Sequence, residues 1–232
     1  MKKEKSIIDE EKALNILNGI YEKVLNGVPK VSKPIQQLAD DYLSKHDTPE
    51  DAAKALVRAQ TAKCGVDGFI AGLGGLIVLP AALPANVGSV LYMQMRMVAA
   101  IAAIGGYDVS SDQVQTMVYL CMAGKGASDI LKQAGVKVGQ KGVEAAIKKI
   151  PGAVLVTINK KLGFRFITRF GQKGVVNLGK MIPVAGGIIG GGFDIVSTKI
   201  IAKAATKMFL EKEDYVDVTP VGSDGDDDDN LV

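Results

Sequence analysis

Residues 68–106 read GFIAGLGGLIVLPAALPANVGSVLYMQMRMVAAIAAIGG, and their interpretation decides the fold. The first 28 positions, 68–95, carry no charge, and Arg96 is the only charged residue of the whole stretch. A run this apolar belongs either at the centre of a protein or against lipid. Pro80 and Pro84 argue against one straight span, because proline interrupts the helical hydrogen-bond ladder. Gly68–Leu79 would extend about 18 Å as a helix, roughly half of a bilayer. Sliding the window to 87–106 puts Arg96 at mid-span, which costs about 2.5–3.5 kcal/mol. The stretch therefore reads as a helix–proline turn–helix hairpin. Phe69, Leu73, Leu76, Ile77 and Leu79 form its apolar arm, and Pro80 and Pro84 mark the turn. Its tip either dips into one leaflet or is buried in the protein.

A second apolar segment, Met181–Phe193, is far too short to span. Its GGIIGGG run pairs Gly186 with Gly190 and Gly187 with Gly191, small-residue spacing that lets helices approach closely. Gly72 and Gly75 are expected to do the same in the first segment. Both segments lead into an alanine-bearing helix, an echo that fits either an ancient duplication or shared composition.

Outward from these segments the signals are helical. Ser6 with Asp9 resembles a capping box, and Ile7, Leu14, Leu17, Tyr21, Val24 and Leu25 follow at helical spacing up to Gly27. A short helix follows Ser32, with Ile35, Leu38, Ala39 and Tyr42 on one face. Thr48-Pro49-Glu50-Asp51 is a helix start: a cap, a first-turn proline, then acids. Another helix runs from Pro84 to about Ile104 and breaks at Gly105–Gly106. Ser110 is expected to cap a helix over 111–134. Breaks are expected at Gly139, Gly142, Pro151–Gly152, Gly163, Gly171 and Gly174, and a last helix over about 191–209. The fold class is all-α: a helical bundle with Gly/Ala-rich apolar hairpins and a disordered acidic C-terminal tail. The expected divisions are N-terminal helices in 1–47, a helical domain in 48–210 and the tail in 211–232.

The net charge of +3 conceals an asymmetry. Nine of the 25 acids fall in 211–232, so residues 1–210 hold 27 basic against 16 acidic residues, a net of +11. Within 132–180, eleven Lys or Arg face one acid, Glu144. Lys160, Lys161, Arg165, Arg169, Lys173 and Lys180 interleave with Phe164, Phe166 and Phe170. Such a surface suits an anionic leaflet, at about 1 kcal/mol per cation near the lipid; an ordinary solvated face is the alternative. The acidic tail is placed to compete for these cations within the chain. Nucleic acid is not expected as a partner, because no reading module and few stacking aromatics accompany the charge.

Catalytic signals are nearly absent, and no enzyme activity, cofactor or metal is expected. His46, the single histidine, sits where a helix C-terminus favours it. Cys64 and Cys121 match no metal or redox spacing and read as buried thiols. No G-x-S-x-G elbow occurs. Residues 174–180 match G-x-x-x-x-G-K, but Met181 stands where magnesium needs a hydroxyl. The GLGG at 72–75 lacks the βαβ setting of a dinucleotide site. Were the chain an enzyme of unfamiliar type, Asp67, Asp108 and Asp194 would have to converge. The opening MKKEK-SIIDEEK places acids where a secretory leader needs an apolar run, so the chain is expected not to be exported.

GFIAGLGGLIVLPAALPANVGSVLYMQMRMVAAIAAIGGYD resembles the glycine-rich signature of the EcsC family of bacterial proteins, and IPVAGGIIGGGFDIVSTKIIAKAA resembles that family's second signature. The resemblance covers roughly 48–209. It implies an intracellular helical protein without a defined biochemical activity. Because some members are encoded beside an ABC exporter, it also implies a membrane transporter as a possible partner. Ala82 departs from the family pattern, in which an acid lies between the two prolines. Together these readings give a helical protein peripheral to the cytoplasmic face of the membrane, or a soluble interaction module or homo-oligomer with the glycines in its core.

Overall fold

The computed structural model describes residues 9–64, 85–136, 149–170 and 191–211. Among them it contains eight α-helices and no strand: α1 (Glu10–Asn26), α2 (Ile35–Leu43), α3 (Pro49–Cys64), α4 (Ala85–Ile104), α5 (Asp112–Ala123), α6 (Ala127–Gln133), α7 (Gly152–Phe170) and α8 (Gly191–Phe209). The protein is an all-α bundle.

Helix starts follow local chemistry. Asp9 caps α1 by accepting from the Lys12 amide at 2.8 Å. Thr48 Oγ1 accepts from the Asp51 amide at 3.1 Å and donates to the Asp51 carboxylate at 2.9 Å, so the expected start of α3 is present. The α5 cap is Ser111, one residue later than expected, and it accepts from the Val114 amide. Ser110 instead donates its amide and hydroxyl to Asp108.

α4 is the axis of the bundle. It starts directly after Pro84, as the sequence predicts, and every residue from 91 to 104 is buried. α1, α2, α3, α5 and α8 all pack on it, so a helix apolar all round is covered all round. The last part of the charge-free run, from Leu91 to Met95, is thus protein core. α4 ends in a Schellman motif. Gly106 takes φ +82°, the Tyr107 amide donates to the Ala102 carbonyl and the Gly106 amide to the Ala103 carbonyl, both at 3.0 Å. Tyr107 then meets the Phe209 ring of α8 edge-on, with centroids 5.2 Å apart.

Two expectations need correction. The helix foreseen over 111–134 is divided by a 3-10 turn at Gly124–Gly126, where Gly124 has φ +56°. Gly163 does not break a helix; α7 runs through it to Phe170. A Cβ on Gly163 would stand 3.1 Å from the α1 backbone at Ala13 and Leu14, so this glycine is where α1 and α7 cross.

Candidate functional site

Two places in the described structure combine charge with unusual exposure or burial. The first is the outer face of α7. Leu155, Ile158, Leu162 and Phe166 face the core, while Ala153, Val156, Thr157 and Phe164 are exposed. Val156 at 48% and Phe164 at 38% exposure are two of the three large hydrophobics most open to solvent among the described residues. Lys160 lies four residues from each, on the same side of the helix. Of the six cations expected to form one face, Lys160, Lys161, Arg165 and Arg169 are on α7, and Lys173 and Lys180 lie outside the described residues. Lys161 reaches the Gln133 carbonyl at the end of α6, 3.4 Å away. Arg165 lays its guanidinium over Gly126, where any Cβ would collide with it. The series therefore divides, with Arg165 folded back onto the 3-10 turn. Ile200, the third exposed hydrophobic at 60%, lies on α8 beside the exposed Lys199 and Lys203.

The second place is a cavity of about 320 Å³ between the loop after α1 and the helices α2, α3 and α4. Gly27 and Lys30, both at positive φ, fold the loop into a tight turn in which the Val28 amide donates to the Ser32 carbonyl at 3.1 Å and to Ser32 Oγ at 2.9 Å. A side chain at Gly27 would run into the backbone of Ser32 and Lys33. The turn holds Ser32 Oγ 2.6 Å from the Tyr92 hydroxyl on α4. One turn further along α4 lies Arg96, only 4% exposed. Its guanidinium donates to the Val24 carbonyl of the last turn of α1 at 3.4 Å. No carboxylate lies within ion-pair distance of it among the described residues. Burial pulls its proton affinity below the ordinary arginine value, and the Tyr92 contact partly restores it.

Hydrogen-bond counting leaves donors over. Ser32 and Tyr92 bring two hydroxyl protons, one of which makes the bond between them, and the other has no acceptor among the described residues. Gln60 of α3, 3% exposed, lines the same cavity and has no side-chain hydrogen bond among the described residues. Lys33 and Lys45 stand at the rim. Asp41 is held by Lys33 at 2.6 Å, and that contact keeps its carboxyl below the usual carboxylate range.

The sequence signal for this site is Arg96, the lone charge in the apolar run 68–106. Other expected residues are placed as follows. His46 Nδ1 meets the Tyr42 carbonyl at 2.9 Å, beyond the end of α2. Cys121 is a buried free thiol, and burial pushes its pKa up to about 12. Asp108 is exposed and taken up by Ser110, and Asp194 is on α8. No group of potential metal ligands occurs among the described residues. No helix among them is long and apolar enough to cross a membrane. The hairpin residues Phe69, Leu73, Leu76, Ile77, Leu79, Pro80 and Pro84 lie outside the described residues. So do Gly72, Gly75, Gly186, Gly187, Gly190, Asp67, the near-miss phosphate loop at 174–180 and the tail from 212; Gly191 is the first residue of α8.

No curated protein and no solved structure matches the chain. The sequence profile described as the EcsC protein family matches residues 4–211 of the 232, both glycine-rich signatures and the helices before them included. The chain belongs to the EcsC protein family.

Proposed function

We propose that the protein is a non-catalytic, membrane-peripheral helical protein that rests on the anionic cytoplasmic face of the cell membrane through the outer side of α7. The observation that carries this reading is the pairing of exposed Val156 and Phe164 with Lys160 on a helix that contains no acid. An interfacial helix needs both parts: apolar side chains to enter the acyl boundary, and cations worth about 1 kcal/mol each near an anionic surface. The apolar segment 68–84 supplies a further contact in this reading, and a neighbouring membrane transporter is the partner class that the family resemblance brings. The burial of 91–104 supports a second reading, a soluble interaction module or homo-oligomer, because it assigns part of the charge-free run to the protein core.

Flotation with vesicles separates the two. Phosphatidylcholine vesicles with and without phosphatidylglycerol are mixed with the full chain at low and high salt. The expected result is flotation that requires the anionic lipid, survives salt in part, and is abolished in a Val156→Ser, Lys160→Glu double variant with unchanged helical circular dichroism. A protein that stays at the bottom under every condition makes the interaction module the better reading.

A further inference from the structure

We propose that the cavity between α2, α3 and α4 binds a small organic phosphate, a phosphomonoester whose oxygens are held by Arg96. A buried guanidinium without a counter-ion is costly, and proteins ordinarily pair such a charge or neutralise it. Arg96 cannot escape by losing its proton under physiological conditions. Among the described residues its one hydrogen-bond acceptor, the Val24 carbonyl, leaves most of its five N–H donors for an oxyanion.

The surrounding groups are of the same kind. The spare Ser32/Tyr92 hydroxyl proton and the Gln60 amide are donors on the cavity wall that no described residue claims. Lys33, Lys45 and Arg96 against the single Asp41 give the lining a net charge of +2, which matches the charge of −1.5 to −2 on a phosphomonoester near neutral pH. Asp41 is the one unfavourable group, and Lys33 already engages it. The volume of about 320 Å³ exceeds what a phosphate needs and lies at the lower end of small-molecule sites. Val31, Leu38, Tyr42 and Met93 line the remainder, so the organic part of the ligand is compact and apolar or aromatic. α7 contributes nothing to this cavity, so the proposal stands or falls separately from the membrane reading.

The test is calorimetric titration of the full chain with phenyl phosphate and with inorganic phosphate at low salt. One saturable site is expected, with phenyl phosphate the tighter ligand by several-fold. Arg96→Gln is expected to weaken phenyl phosphate by at least about tenfold. Lys45→Ala, at an exposed position that does not hold the fold, is expected to weaken it by about threefold and to steepen no salt dependence. The Lys45 variant and Tyr92→Phe keep the test decisive should Arg96→Gln fail to fold. Vesicles carrying phosphatidic acid separate the two sources of a phosphomonoester. Release of vesicle-bound protein by phenyl phosphate puts a lipid headgroup in the cavity, and phenyl phosphate binding that leaves the vesicles untouched puts a soluble metabolite there. Absence of saturable binding at millimolar phenyl phosphate overturns the proposal, as does binding to the native chain that neither Lys45→Ala nor Tyr92→Phe weakens.

Discussion

Alanine placed in turn at Gly19, Gly163 and Gly105 should give a graded change in stability, because the three glycines differ in what a methyl group would meet. At Gly19, inside α1, nothing lies within 4 Å of the added Cβ. The substitution then yields the helix-propensity gain alone, about 1 kcal/mol. At Gly163 the methyl would sit 3.1 Å from the α1 backbone, about 0.3 Å inside the 3.4 Å at which ordinary contact begins. The same gain is offset by a small helix shift, for a net effect within about 1 kcal/mol of zero. At Gly105 the methyl would stand 2.5 Å from the Phe209 carbonyl and 3.2 Å from Leu210 Cδ2. The shortfall is now about 0.9 Å against backbone, which cannot rotate aside. The C-terminal turn of α8 must lift, loosening the buried Phe209 and its edge-on contact with Tyr107. A loss of about 2 kcal/mol follows, within the usual range for overpacking. For a chain of this size 1 kcal/mol moves Tm by roughly 2–4 °C, so calorimetry should place the variants near +3, 0 and −6 °C. A Gly105→Ala variant as stable as the native chain would refute the seating of α8 on the end of α4.

Alkaline pH should destabilise the protein. Burial raises Tyr21, Tyr119 and Cys121 above their ordinary values of 10.0, 10.0 and 9.0, the thiol to about 12. The folded values exceed the unfolded ones, so this stability is complete below pH 9 and is lost as pH rises from there towards 12. Urea unfolding free energy should fall by roughly 2–4 kcal/mol between pH 8 and 10.5, and Cys121→Ala should flatten about half of that slope. Thr48→Ala removes the α3 cap and should cost about 1 kcal/mol by the same assay, with Thr48→Ser recovering most of it.

The sequence made some of this architecture legible because punctuation residues act locally. Pro84 and Gly105–Gly106 bound α4 as expected, and the range expected for the last helix is that of α8, Gly191–Phe209. Gly163 misled because a glycine's role depends on what stands opposite, and α1 lies some 150 positions away in the chain. A short helix was legible after Ser32, but the bond from Ser32 to Tyr92 spans 60 residues and was not, and α2 begins behind Pro34 without a side-chain cap. The lysines and arginines of α7 were visible as a series, but not the retreat of Arg165 onto Gly126, which needs the 3-10 turn between α5 and α6. Arg96 was visible only as an obstacle to membrane insertion. The groups that make it a site come from α1, α3 and the intervening loop, and no local pattern joins them.

The central position of α4 also bears on biosynthesis. Its apolar surface is complete as a buried surface only when α8, ending at Phe209, has been made and docked. At about 5–20 residues per second the ribosome needs roughly 5–20 s to travel from Ile104 to Phe209. Throughout that interval the face of α4 that α8 will cover is without its partner. Arg96, near the middle of α4, adds about 2.5–3.5 kcal/mol to the cost of entering the bilayer there. The residue whose charge is hardest to accommodate in the finished core is therefore also the one that most raises the cost of placing the same helix in lipid.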